Sequence, residues 1–286
     1  MDATAQRVPS TAKAAADPQA LVYRHSITTR ITHWLTALSL LVLVMSGLQI
    51  FNAASFLDAS DKTDPARRVL SIDGGQTQSG ANIGTVTLLG HTFNTTHFLG
   101  FTDDGMGGEG PRAFPGWVTL PGYQSLADGR RWHLFFGWIL VLCGAAYLIV
   151  GFARGDIQKI VLRPADLPKL IPMQLYYLRL RKDPPHYGKY NPLQKMAYTL
   201  VLFAFVPLII VTGLALSPGV DAWLGPLPWL LGGRQFARLW HFLLMLVLLG
   251  FVGVHVTLVL STGVVNNMRS MITGLYRLGK HEGLDA

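Results

Sequence analysis

Four long apolar stretches, at about 31–53, 132–153, 196–216 and 239–261, stand out from an otherwise mixed chain. A helix needs about 20 mainly apolar residues to cross a bilayer, and each stretch reaches that length. The pattern therefore predicts four spanning helices within a domain covering 22–286. The first stretch starts too late, runs too long and lacks the small-residue cleavage site of a secretory signal. Residues 1–21 are Ala-rich and polar without apolar periodicity, and read as a disordered cytoplasmic tail.

The segments between the stretches give the orientation. Residues 154–191, between the second and third spans, hold eight Lys or Arg against three Asp. Lys and Arg gather on the cytoplasmic side, so this loop is predicted inside, and both termini with it. Residues 54–129, between the first and second spans, hold four basic residues against eight acidic ones, as expected of an outer segment. That insertion is too long for a bare loop. Its many glycines and short β-prone runs, Gly84–Leu89 and Trp117–Leu120, predict a small β-containing cap. In the inner loop, Ile157–Leu180 mixes apolar residues, Pro and Arg and reads as interfacial, with Tyr176 and Tyr177 at headgroup level. The fold class is an all-α membrane protein: a multi-pass, four-transmembrane-helix bundle with a β-containing insertion on the outer side.

Composition narrows the chemistry. Of 286 residues, 14% are charged, against about 25% in a soluble domain. The net charge of +8 is spread over several segments rather than gathered in one block, which points to membrane lipid and not to nucleic acid. The single cysteine, Cys143, excludes an intrachain disulfide, iron–sulfur spacing and covalent c-type haem attachment. An intramembrane metalloprotease is disfavoured, because no H-E-x-x-H occurs.

Four of the nine histidines, His33, His133, His241 and His255, lie in the apolar stretches. Ionisable residues there are functional candidates by default. His241 and His255 are 14 residues apart on one span, which means about 21 Å of rise and about 40° of azimuth. Both rings then share one face, one near each membrane surface. The first span runs outward, which places His33 near the inner surface. The second runs inward, which places His133 near the outer surface. Depth therefore pairs His33 with His255 inside and His133 with His241 outside. A lone histidine in a membrane most often bonds to a neighbouring helix. Two stacked pairs of imidazoles are what two b-type haems need as axial ligands.

Arginines extend the pattern. Arg30, Arg130 and Arg238 each precede a candidate ligand by three residues, on the same helical face and on its watery side. Such a position suits a haem propionate, which Arg grips through two bonds. Gly47 follows His33 by 14 residues and is expected to let the outer macrocycle approach the backbone. Thr212-Gly213-Leu214 in the third span echoes Ser46-Gly47-Leu48 in the first, which hints at a shared packing role. Trp34, Trp132 and Trp240 read as interface anchors, and His25 as interfacial. His91, His97, His186 and His281 read as surface residues.

These motifs resemble the bacterial di-haem cytochrome b subunits that anchor nickel–iron hydrogenases, formate dehydrogenases and thiosulfate reductases. The resemblance rests on Arg30-Ile31-Thr32-His33-Trp34, Arg130-Arg131-Trp132-His133, the His241–His255 spacing and Tyr190-Asn191-Pro192-Leu193-Gln194-Lys195, and spans about 22–275. It implies a membrane subunit that passes electrons between the quinone pool and a periplasmic catalytic oxidoreductase subunit. Quinone would bind near the inner haem, towards His255. The long outer insertion departs from the short hydrogenase-type subunits and is similar to versions associated with molybdopterin enzymes. Two rivals stay open on the residues alone. One is a self-contained quinone-linked oxidoreductase acting on a small molecule such as superoxide at the outer haem. The other is a transporter whose histidines relay protons, although the inverted repeat and broken helices common in transporters are not evident.

Overall fold

The computed structural model describes residues 21–187, 190–221, 223 and 226–277; the expected tail at 1–20 lies outside them. Four described helices are long and apolar enough to cross a membrane: α1 (Ile27–Phe51), α2 (Leu126–Ala153), α3 (Pro192–Leu216) and α4 (Arg234–Ser261). Each begins a few residues before its apolar stretch, and for three of them side-chain caps show why. Ser26 Oγ accepts from the Thr29 amide at 3.2 Å, and Ser125 Oγ accepts from the Asp128 amide at 3.2 Å. At Asn191 the cap is reciprocal. Its side-chain oxygen accepts from the Gln194 amide at 2.9 Å, while Gln194 Oε1 accepts from the Asn191 amide at 3.1 Å. Helix α3 widens into a π turn at Val201–Phe205 just before Pro207. Proline has no amide to give and crowds the carbonyl four residues back, and a wider turn makes room for it.

Eight short strands form three sheets among the described residues. They are β1 (Leu21–Tyr23), β2 (Phe56–Asp58), β3 (Arg68–Gln76), β4 (Asn82–Leu88), β5 (His91–Asn94), β6 (Gly100–Asp103), β7 (Glu109–Arg112) and β8 (Leu275–Arg277). By its contacts the chain divides into two compact units.

One unit holds residues up to His33, Tyr147–Leu200 and from Phe251 onward. Here β1 pairs antiparallel with β8, Leu21 opposite Arg277. Leu21 thus belongs to a strand and not to the tail where the sequence reading put it. The Arg24 guanidinium lies 4.0 Å from the Tyr276 ring centre, and its amide donates to the Gly274 carbonyl at 2.8 Å. The inner loop folds into short helices, Ile157–Ile160 and Leu170–Tyr177, joined by a 3-10 turn at Pro164–Lys169. Ile157, Ile160 and Met173 are buried, so this segment docks on protein along part of its length. Thr199 Oγ1 accepts from the Leu162 amide at 2.8 Å, and Asn191 donates to the Tyr177 hydroxyl at 3.1 Å. The Lys195 ammonium pairs with Asp166 at 3.1 Å. Burial resists ionisation of Asp166, but bonds from the Arg163 amide and Lys195 outweigh it and hold the carboxyl below its usual range.

The other unit holds Trp34–Ala146 and Val201–Gly250, including the cap. Strands β2-β3-β4-β5 form an antiparallel meander, and β6 and β7 form a hairpin. The hairpin crosses the meander at glycines: a Cβ on Gly74 would collide with the Gly100 carbonyl. Trp117–Leu120, expected as a strand, is instead a 3-10 turn at Gly116–Val118. The Gly116 carbonyl accepts from both the amide and the hydroxyl of Thr119, at 3.2 and 3.1 Å, which curls the chain where a strand would run straight. Phe51 of α1, Leu57, Ile72 and Ala113 of the cap, and Leu239 of α4 share one buried cluster. The cap is therefore continuous with the helix ends below it.

A buried arginine adds a polar lock. Arg112 is only 5% exposed. Its Nη1 donates to the carbonyls of Asp104 and Gly122 at 2.8 and 2.6 Å. Its Nη2 donates to Gln49 Oε1 of α1 and Thr119 Oγ1 at 2.7 and 2.6 Å. Burial lowers its pKa, opposed by Asp103 and Asp104.

Candidate functional site

Each unit brings together one pair of the histidines singled out in the sequence. In the first unit, His33 of α1 and His255 of α4 have ring centres 6.2 Å apart and planes at 55°. Phe251, one turn before His255 on α4, stacks on the His255 ring at 6.0 Å and 19°. In the second unit, His133 of α2 and His241 of α4 have ring centres 6.0 Å apart and planes at 64°. A single unbroken helix, α4, thus contributes one member to each pair.

Two hydroxyls hold the second pair. Ser46 Oγ of α1 lies 3.1 Å from His133 Nδ1, and Thr212 Oγ1 of α3 lies 3.0 Å from His241 Nδ1. The Leu43 carbonyl is also 3.1 Å from His133 Nδ1. A carbonyl only accepts, so Nδ1 of His133 carries the proton and Nε2 keeps a free lone pair.

Glycines make the room. A Cβ on Gly47 would come 3.3 Å from Cε1 of His133, and one on Gly213 would come 3.2 Å from Cε1 of His241. The space at Gly47 is therefore used by the His133 imidazole.

The arginines behave differently from one another. Arg30 donates through Nη1 to the Ile272 carbonyl at 2.6 Å. Arg130 is exposed in the second turn of α2. Arg238 donates to the Ala54 carbonyl and lies 5.3 Å from the ring centres of both Phe51 and Phe56. Arg131, next to Arg130 in sequence, pairs with Asp128 at 3.1 Å on α2.

The donor set identifies what fits. No cluster of three or more His, Cys, Asp or Glu side chains suited to a bare metal ion occurs among the described residues. Two imidazoles bound on opposite sides of one metal at about 2.0–2.1 Å have ring centres roughly 6.3–6.5 Å apart. The observed separations, 6.0 and 6.2 Å, are slightly shorter than that span. A porphyrin iron brings four nitrogens of its own and asks the protein for two axial ligands, and each pair can supply them.

The description "Prokaryotic cytochrome b561" belongs to the family model that matches residues 24–274. The chain belongs to this family. A further comparison finds a protein of Azospira oryzae, provisionally named protein-methionine-sulfoxide reductase subunit YedZ1. The two are 27% identical over 230 residues, covering 80% of this chain and 86% of the relative. No solved structure matches the chain. As a prokaryotic cytochrome b561, the protein is a multi-pass membrane cytochrome of the b type, a haem protein of electron transfer. Its four apolar helices suit that setting.

Sequence reasoning singled out the four histidines that the structure brings together in pairs, but did not assign the hydroxyls of Ser46 and Thr212, Gly213 or Phe251 to them. The signal for three of these was the Ser-Gly-Leu and Thr-Gly-Leu echo, which the structure places against a histidine in both spans.

Proposed function

We propose that this cytochrome b561 holds two b-type haems. His33 and His255 are the axial ligands of an inner one, His133 and His241 those of an outer one. On this reading it passes electrons between membrane quinone on the inner side and a periplasmic oxidoreductase subunit on the outer side. The observation that carries the proposal is the matched pairing of four intramembrane imidazoles at 6.2 and 6.0 Å. Haem, when bound, supplies the one-electron chemistry; the protein supplies ligands, burial and hydrogen bonds that set how readily an electron is taken up.

The remaining roles follow from position. Arg30, Arg130 and Arg238 are the propionate partners in this reading. A guanidinium has five N–H donors, so the bonds that Arg30 and Arg238 already give leave others for an anion. Gly47 lets the His133 ring, and the macrocycle beside it, approach α1. The 14-residue offset on α4 sets a transfer step of about 20 Å along the helix. The basic inner loop and acidic cap support both termini inside and the cap in the periplasm. The relative is named as a subunit of a protein-methionine-sulfoxide reductase, which supports a separate catalytic subunit as the partner; the partner in this proposal is a periplasmic enzyme of the molybdopterin class.

The test is a reduced-minus-oxidised spectrum of the purified chain with haem counted per polypeptide. Two haems are expected. His241→Ala and His255→Ala are each expected to lose one; either variant retaining both would refute the pairing.

A further inference from the structure

The two histidines of the outer pair are held alike by two different helices. Helix α1 presents Ser46-Gly47 to His133, and α3 presents Thr212-Gly213 to His241. In both, the hydroxyl stands 3.0–3.1 Å from Nδ1, and the glycine that follows leaves just enough room for Cε1. The direction of these bonds can be worked out. A hydroxyl has one proton to give. Ser46 Oγ gives it to the Val42 carbonyl at 2.6 Å, and Thr212 Oγ1 to the Leu208 or Ile209 carbonyl, each at 3.0 Å. Only lone pairs are then left to face the ring, so each imidazole donates Nδ1–H to the hydroxyl, His133 sharing it between Ser46 Oγ and the Leu43 carbonyl at 3.1 Å each. Ser46 is 0% and Thr212 2% exposed, so water does not take their place.

We propose that Ser46-Gly47 and Thr212-Gly213 are a matched pair of cradles that orient both outer ligands and lower the reduction potential of the haem between them. The proposal rests on the reading of His133 and His241 as axial ligands of one haem. Donating Nδ1–H shifts electron density onto Nε2 and makes the imidazole a stronger ligand. A stronger donor stabilises the more positive, oxidised iron and so depresses the potential. With both ligands donating, the two effects act on one centre. Ser46 and Thr212 are positioning residues: they act through the histidines and touch no substrate. A depressed outer potential makes that site an electron donor towards a periplasmic acceptor.

The experiment uses the full-length, haem-loaded chain with Ser46→Ala, Thr212→Val and both together. The readouts are a redox titration that resolves the haems and the low-spin electron paramagnetic resonance spectrum. One midpoint is expected to rise in each single variant, less in Ser46→Ala because the Leu43 carbonyl still accepts from His133 Nδ1, and further in the double, with the other midpoint fixed. Retention of the affected haem is expected to weaken roughly 10- to 100-fold, as for other outer-shell partners of metal ligands. Ser46→Thr and Thr212→Ser keep a hydroxyl and are expected to keep the original midpoint. These two also serve if the double variant does not accumulate, since a hydroxyl-dependent midpoint then shows between Thr212→Ser and Thr212→Val alone. A control, His133→Ala, separates the two levels of the argument. If it loses one haem but the hydroxyl variants move no midpoint, the cradle proposal is overturned alone. If it keeps both haems, the ligand reading falls and the cradle falls with it.

Discussion

Replacing Arg112 by Met tests whether the cap is locked onto the first span by polar bonds as well as by apolar packing. Methionine fills similar volume and leaves the nearby apolar cluster of Phe51, Leu57, Ile72, Ala113 and Leu239 in place. The change removes four bonds of 2.6–2.8 Å from a side chain 5% exposed. Bonds from a charged donor are worth about 1.5–3 kcal/mol each, or roughly 6–12 kcal/mol gross for the set. Against that stands the desolvation of a guanidinium, several kcal/mol, which the variant no longer incurs. A net loss of about 3–5 kcal/mol is expected, the gross sum less that desolvation, with the carbonyls of Asp104 and Gly122 left short of a donor at about 1–3 kcal/mol each. At about 1.4 kcal/mol per decade, the population with the cap opened from α1 rises by a factor on the order of 100 or more. Hydrogen exchange in lipid nanodiscs reads this directly. The Leu120 amide, bonded to the Met45 carbonyl of α1 at 3.1 Å, and the Gly100 amide, bonded to the Ala113 carbonyl at 3.2 Å, are the reporters. Both are expected to lose protection while the haem spectrum stays, because Ser46, Leu43 and Thr212 still hold His133 and His241. Exchange within about threefold of the original, less than ~1 kcal/mol, would refute the reasoning.

Two smaller predictions follow. Gly213→Ala puts a methyl 3.2 Å from Cε1 of His241, inside the roughly 3.5–4.0 Å of ordinary carbon contacts, so the ring must yield; haem counted per chain is expected to drop towards one, and a full count of two would show that the ring can shift without cost. Asp166→Asn probes the inner loop by pH. The Asp166 carboxyl is held below its usual range, so its contribution is fully present above the ordinary carboxylate value of about 3.9 and fades as pH falls through the lower folded value. The melting temperature of the original chain should exceed that of the variant at neutral pH, with the gap closing in acid; a gap independent of pH would remove Asp166–Lys195 from the account.

What the sequence made legible was what a rigid helix dictates. A 14-residue offset on one span and alternating span directions were enough to sort His33, His133, His241 and His255 into the two pairs that the structure brings together, because rise per residue is nearly fixed. The capping residues that begin α1, α2 and α3 were equally present in the sequence, as Ser26, Ser125 and the Asn191–Gln194 box. Hydropathy alone passes over them, since a cap is polar. The hydroxyl partners of His133 and His241 were not readable as such. A serine or threonine inside a span ordinarily bonds back to its own helix, as Ser39 does to the Leu35 carbonyl at 2.7 Å. Only the crossing of α1 with α2, and of α3 with α4, shows which of them meets an imidazole. The strand expected at Trp117–Leu120 failed for a local reason: Gly116 and the Thr119 side chain offered the backbone a tighter turn.

The pairing of β1 with β8 has a consequence for the order in which the protein can be completed. Arg30, one turn before His33, bonds to a carbonyl 242 positions later in the chain. Arg24 and Leu21 likewise find their partners only at Gly274, Tyr276 and Arg277. A chain is made from its N-terminus, so the first span must stand in the membrane with these groups unmatched until almost all of the rest exists. Closing so distant a contact is slow by its loop entropy. The frame around His33 and His255 is therefore finished later than that around His133 and His241, whose partners Leu43, Ser46 and Thr212 come earlier in the chain. A released chain ending before residue 272 would keep every partner of His133 and His241 named above, but would lack the carbonyl that holds Arg30 and the strand that pairs with Leu21–Tyr23.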